Sequence, residues 1–156
     1  INWRSNDHMK LSDHFSLWEL TKSQTATRNG IDNTPDEESI KNLKEVCTNI
    51  LEPVRTHYGR PFTPSSGYRC IDLNQLLGSS DRSQHIIGQA VDFEVPGIPN
   101  IDVARLIINE LTYDQLILEF YKEGEPHSGW VHCSYVGTRN RNSARRFDGR
   151  TWSSLS

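Results

Sequence analysis

Three side chains in the second half of the chain are of metal-binding types and stand where leaving them unpartnered is expensive. Asp92 lies in Ala90-Val91-Asp92-Phe93, between two large apolar residues in a stretch of strand composition. A buried carboxylate without a partner costs several kcal/mol, on the order of a lost ion pair, so Asp92 must meet a cation, a hydrogen-bond network or a metal. His132 poses the same question in Trp130-Val131-His132-Cys133-Ser134-Tyr135, and His85 precedes a glycine turn in Ser83-Gln84-His85-Ile86-Ile87-Gly88. Two imidazoles and one carboxylate are a common protein set for catalytic zinc, leaving the fourth position to water. Each residue also has a plainer reading: a loop histidine, a strand-end cap or salt bridge, and a satisfied core histidine. Taken singly, each plainer reading is favoured; the three together weigh more, but their spacing alone does not decide between the readings.

The elements that must position these residues follow from the pattern along the chain. Residues 1–34 are polar and irregular and read as an arm wrapped on the domain, with Ser16 and Glu19 as a capping box opening a short helix that ends near Lys22. Thr34 as N-cap, Pro35 at the first helical position and Asp36, Glu37 and Glu38 behind them predict the main helix over 35–58. Its apolar stripe is Ile40, Leu43, Val46, Cys47, Ile50, Leu51 and Val54, and Pro53 falls inside it as a source of a kink. Residues 62–69 read as a short strand running into a turn, 71–79 as a short helix, 79–90 as a polar loop and 91–95 as a strand stopped by Pro96-Gly97. Asn100 or Asp102 can cap a second helix. Strands at 115–121 and 130–135 form a hairpin, a last strand covers 144–148, and 136–156 is a C-terminal extension. The fold class is α+β, with a small, mainly antiparallel sheet and flanking helices in one domain over 1–156.

Composition narrows the function. The 156 residues carry 17 Lys+Arg against 20 Asp+Glu, a formal net charge of -3, which gives no broad nucleic-acid footprint. The five arginines between Arg139 and Arg150 read as a solvated face or strand edge. Apolar runs such as Leu116-Ile117-Leu118 are too short to span a bilayer, and residues 1–30 hold no basic-then-apolar export signal. Cys47, Cys70 and Cys133 are odd in number and widely spaced, which fits reduced, mostly buried thiols in a protein made in the cytoplasm.

Ser66-Gly67-Tyr68-Arg69, Ser83 to Asp92, Asp114 to Phe120 and Gly129-Trp130-Val131-His132-Cys133-Ser134 follow one another in the order that marks a known family. Between about Phe15 and Tyr135 the chain resembles the zinc D-Ala-D-Ala carboxypeptidases and related peptidoglycan peptidases, most nearly the short, single-domain members found in phages and prophages. The resemblance implies the fold these peptidases share with the hedgehog signalling domain, one zinc ion held by His85, Asp92 and His132, and hydrolysis of a peptide bond in peptidoglycan stem peptides, by a D-Ala-D-Ala carboxypeptidase or an endolysin-type endopeptidase. It implies that Arg69 steadies the carbonyl oxygen as it gains charge. It further implies a monomer that acts in the periplasm or cell wall, reached by a route other than a visible signal peptide, with no membrane or nucleic-acid partner.

The chain departs from better-known relatives at the catalytic base. They carry an acidic residue three positions before the last histidine ligand, where this sequence has Gly129. Glu119, between Leu118 and Phe120 and opposite residues 130–132 of the hairpin, is the candidate base, its apolar setting raising its pKa. The competing reading makes it a buried structural carboxylate paired with Arg69. His127, Glu123 and Glu125 are weaker candidates. Ser83 and Gln84 can bond the metal shell or substrate, and Tyr68 and Trp130 can line the pocket. The missing acid before His132 also leaves room for another class of function, a zinc-stabilised cell-wall-binding or phage assembly module with little catalysis.

Overall fold

The computed structural model describes residues 8–156; residues 1–7, the start of the segment read as an arm, lie outside the described residues. Ser16 accepts from the Glu19 N–H at 3.3 Å and Glu19 reaches back to the Ser16 N–H at 3.2 Å, the reciprocal cap that opens α1, Leu17–Thr21. A second short helix, α2, follows over Gln24–Arg28. Phe15, Leu17 and Leu20 are buried in the common core.

The main helix starts two residues later than the sequence predicts. Thr34 is held by Asp32, whose Oδ1 accepts from both its N–H and its hydroxyl, and Asp36 is the N-cap, accepting from the Ser39 N–H at 2.8 Å. The helix then runs as α3, Glu37–Val46, a π-helical turn at Cys47–Leu51, and α4, Glu52–Tyr58. Pro53 has no N–H to continue the ladder and its ring crowds the carbonyl one turn back, and the widened turn before it absorbs that conflict. Leu43, Val46, Cys47, Ile50, Leu51 and Val54 are fully buried, as the stripe requires. Ser12 and the His14 N–H and ring donate to Glu52, fastening the N-terminal segment to this helix.

Residues 62–69 do not make a strand. Pro61 and Pro64 remove ladder donors; one isolated bridge remains, Ser66 to Asp92. Then come α5, Ile71–Leu76, and a 3-10 turn, Gln84–Ile87, inside the stretch predicted as loop. The helix α6, Asn100–Glu110, has Pro99 at its N-cap. Asn100 is no cap, because its amide donates to Glu94, to the Ser128 carbonyl and to the Gly129 carbonyl.

Five strands form one sheet: β1 Ala90–Phe93, β2 Gln115–Glu119, β3 Trp130–Ser134, β4 Ser143–Phe147 and β5 Trp152–Ser154, in the order β1-β3-β2-β4-β5. Three of the four pairings are antiparallel, and β2 with β4 is parallel. The fold is therefore α+β with a mostly antiparallel sheet, as predicted; β5 was not foreseen. Val91, Phe93, Leu116, Leu118, Val131 and Cys133 point to the helices and are buried. Burial of such a side chain contributes roughly 1.5–3 kcal/mol. Because side chains alternate, the opposite face carries Asp92, His132, Ile117 and Arg145 in one row and Trp130, Glu119, Phe147 and Trp152 in the next. All three cysteines are free, and no helix among the described residues is long and apolar enough to cross a membrane.

Candidate metal centre and active site

The sheet register sets Asp92 directly opposite His132. Asp92 is held from its other side by the 65–69 segment, since its N–H donates to the Ser66 carbonyl at 2.8 Å and its carbonyl accepts from the Ser65 N–H at 2.9 Å. His85 arrives on the 3-10 turn, where Ser83 caps the backbone by accepting from the His85 N–H at 3.2 Å. Its Nδ1 lies 2.6 Å from the Gly67 carbonyl, an acceptor only, so Nδ1 carries the proton and Nε2 is the free donor atom. Gly67 can present that carbonyl because it packs on the Leu20 backbone, where a Cβ would collide. The His85 Nε2 is 3.4 Å from one Asp92 oxygen, and the His132 Nδ1 is 2.9 Å from the other.

One ligand atom from each of His85, Asp92 and His132 falls within 4.8 Å of the others. Burial pushes the His85 pKa down, which keeps the imidazole neutral as a ligand must be. Burial alone would raise the Asp92 carboxyl, but the neighbouring His132 and His85 side chains outweigh it and hold the group well below the usual range. Two imidazoles and a carboxylate, converging from three elements with a carbonyl fixing the tautomer of His85, are a donor set that fits zinc.

Arg69 flanks this cluster. Its guanidinium donates to Asp92 at 3.3 Å, to the Ser66 hydroxyl at 3.0 Å and to the Ser79 hydroxyl at 3.2 Å. Glu119 does not pair with Arg69. Its carboxylate accepts from the Trp130 indole N–H at 2.7 Å, across the register pair that joins β2 to β3. Burial raises the Glu119 pKa, against a lowering by His132 and by that indole bond.

The Gly129 position has a physical reason to lack an acid. Its φ is +66° and a Cβ there would run into the Glu119 carbonyl and the Phe120 backbone. Phe120 itself has a φ of 57°, which ends β2 at Glu119 rather than at residue 121. A non-glycine in the left-handed region is a strained position, and it stands beside the candidate base.

The other sequence candidates fall in different places. Gln84 donates to Asp114 at 2.8 Å, and Asp114 also holds the Arg141 guanidinium at 2.7 Å, a pair 27 positions apart that no local pattern marks. That ion pair and its hydrogen bonds pull the Asp114 pKa down to about 2. Tyr68 lines a cavity of about 770 Å3 next to the metal cluster, together with Trp18, Lys22, Arg28, Ser66 and Arg69. Glu123, Glu125 and His127 are exposed on the β2–β3 loop, where Glu123 pairs with Arg146 at 2.9 Å.

No curated protein matches the sequence closely enough to count as a relative. The profile of the peptidase M15 family matches residues 13–134, which take in all three metal-type ligands, Arg69 and Glu119, and with that coverage the chain belongs to the peptidase M15 family of metallopeptidases.

Proposed function

We propose that the protein is a zinc-dependent peptidase that hydrolyses a peptide bond in peptidoglycan stem peptides. The observation that carries this reading is the buried His85–Asp92–His132 cluster in a metallopeptidase family. His85 through Nε2, Asp92 and His132 through Nδ1 would hold the ion. Bound there, zinc supplies a Lewis acid that polarises the scissile carbonyl and makes water nucleophilic near neutral pH. Glu119 takes the proton from the attacking water and returns it to the leaving amine, work suited to a carboxylate whose pKa burial has raised. Arg69, anchored by Ser66 and Ser79, faces the carbonyl oxygen with a fixed positive charge as that oxygen becomes an anion. The cavity beside it, with Lys22 and Arg28 in its wall, suits a peptide that bears carboxylates. Ser83 contributes by fixing the His85 backbone, and Gln84 by fixing Asp114.

The test is to incubate the purified protein with intact peptidoglycan and with synthetic stem peptides, with a chelator and with the chelator reversed by zinc, and to identify products by mass spectrometry. Zinc-dependent loss of a terminal D-Ala identifies a carboxypeptidase, and an internal cut an endopeptidase. A protein that binds zinc and yields no product from any substrate overturns the peptidase reading in favour of a wall-binding or assembly module.

A further inference from the structure

The row of sheet residues that begins at the metal cluster continues past it. Asp92 faces His132, His132 faces Ile117, Ile117 faces Arg145, and Arg145 faces Ser154. All of them project from the face that carries the site. The Arg145 guanidinium carbon lies over the Trp152 ring, 4.3 Å from its centroid, and Trp152 is stacked on Phe147 at 4.4 Å and 22°. Phe147 in turn sits opposite Glu119 in the next row.

Among the five arginines between Arg139 and Arg150, Arg145 alone combines two features. Arg141 is paired with Asp114 and Arg146 with Glu123, whereas Arg145, like Arg139 and Arg150, makes no ion pair among the described residues. Its guanidinium also lies over the face of an indole ring, a position in which an arginine keeps N–H groups free to receive a two-pronged acceptor. Planar bidentate pairing is the arrangement that recognises carboxylates. Trp152 is half exposed, so the platform is open to a ligand. Residues 143–154 lie beyond the 13–134 stretch matched by the family profile, so the family match does not account for this platform.

We propose that Arg145, stacked on Trp152 and Phe147, is a subsite for a carboxylate of the peptide substrate, an inference that rests on the peptidase reading for the identity of its ligand. Arg145 stands two strand spacings from His132, about 10 Å. An extended peptide covers that distance in about three residues. The carboxylate bound there belongs to a residue about three positions from the cleaved bond, too far for the terminal carboxylate of a single released D-Ala. The strip therefore favours substrates that carry a carboxylate about three residues from the cleaved bond over those whose nearest carboxylate is on the adjoining residue.

The experiment uses the full chain, zinc-loaded, and a ladder of synthetic peptides of equal length that carry one free carboxylate at one, two, three or four residues from a D-alanyl bond, with all other carboxylates amidated. Binding is measured by calorimetry and cleavage by mass spectrometry. Tightest binding of the three-residue peptide is expected, with about a tenfold weakening of that peptide alone in Arg145→Gln, partial recovery in Arg145→Lys and a smaller loss in Trp152→Leu, worth about 1.4 kcal/mol for the tenfold step. Circular dichroism checks that each variant is folded. Equal affinity along the ladder, or an Arg145→Gln protein that keeps the wild-type preference, overturns the subsite. A preserved ladder preference in a protein that cuts none of the peptides upholds the subsite and removes the peptidase reading.

Discussion

Replacing Glu119 by Gln separates the proton-transfer role from every structural role of that side chain. Glutamine has the same shape, and its carbonyl oxygen can still accept from the Trp130 indole, the one hydrogen bond the Glu119 side chain makes within 2.7 Å. The β2–β3 register and the metal cluster are left untouched. What is lost is the ability to take a proton. General-base catalysis contributes typically 10²–10⁴-fold, about 3–5 kcal/mol of barrier, so kcat should fall by that factor with KM little changed. Stability should hold or rise slightly, because burial disfavours the charged carboxylate that the variant removes. The pH profile supplies a second readout. Glu119 must be ionised to act, so wild-type kcat/KM declines as the pH falls through its raised pKa, above the ordinary carboxylate value, and that acidic limb should vanish in the variant. The assay is product formation by mass spectrometry across pH 4–9, with zinc content and melting temperature measured on the same preparation. A folded, zinc-loaded Glu119→Gln protein that retains more than about a third of wild-type turnover would refute the assignment, since no general base contributes so little.

Trp130→Phe keeps the packing against Phe120 and removes the indole donor, which lowers the Glu119 pKa while present. The acidic limb of the rate profile should therefore move to higher pH, as a titration of kcat/KM would show. Gly129→Ala forces a Cβ into a left-handed position against the Glu119 carbonyl, at about 1–2 kcal/mol for the conformation and about 1–3 kcal/mol for the overlap, read as a fall in the urea midpoint; for the same reason an acid at 129 will not restore the arrangement of other family members. Asp114 has its pKa lowered to about 2, so the stability of its pair with Arg141 is fully present above about pH 4 and is lost as the pH falls toward 2. With water around the exposed guanidinium the pair contributes roughly 1–2 kcal/mol, and Asp114→Asn should flatten the acid limb of a pH-stability curve by that amount.

Asp92 and His132 stood out in the sequence because a carboxylate between Val91 and Phe93, and an imidazole between Val131 and Cys133, have few cheap ways to be buried, but singly each favours a plainer reading, and it is the ordered motifs of the peptidase resemblance that join them to His85. The hairpin register was legible too, since two alternating strands around a polar loop pair in few ways, and Glu119 does face Trp130. Local competition defeated the rest. Thr34 looked like the helix cap, yet Asp32 claimed it and Asp36 took the role. Asn100 looked like a cap and instead ties down the turn before Trp130. Residues 62–69 have strand composition, but prolines at 61 and 64 leave too few donors for a ladder. The strand at Trp152–Ser154 has three residues and no alternation, so only its partner β4 reveals it. A left-handed phenylalanine at 120 has no sequence signature at all.

The chain of contacts behind His85 changes how the first thirty residues should be regarded. Leu20 accepts from the Tyr68 N–H at 2.8 Å and seats Gly67, and Gly67 fixes the tautomer of His85. A polar, irregular N-terminal stretch invites trimming in any search for a minimal active unit. Here the trimmed piece is the backstop of an imidazole more than sixty positions downstream, so a protein shortened past Leu20 is expected to lose the orientation of His85 even where the sheet survives.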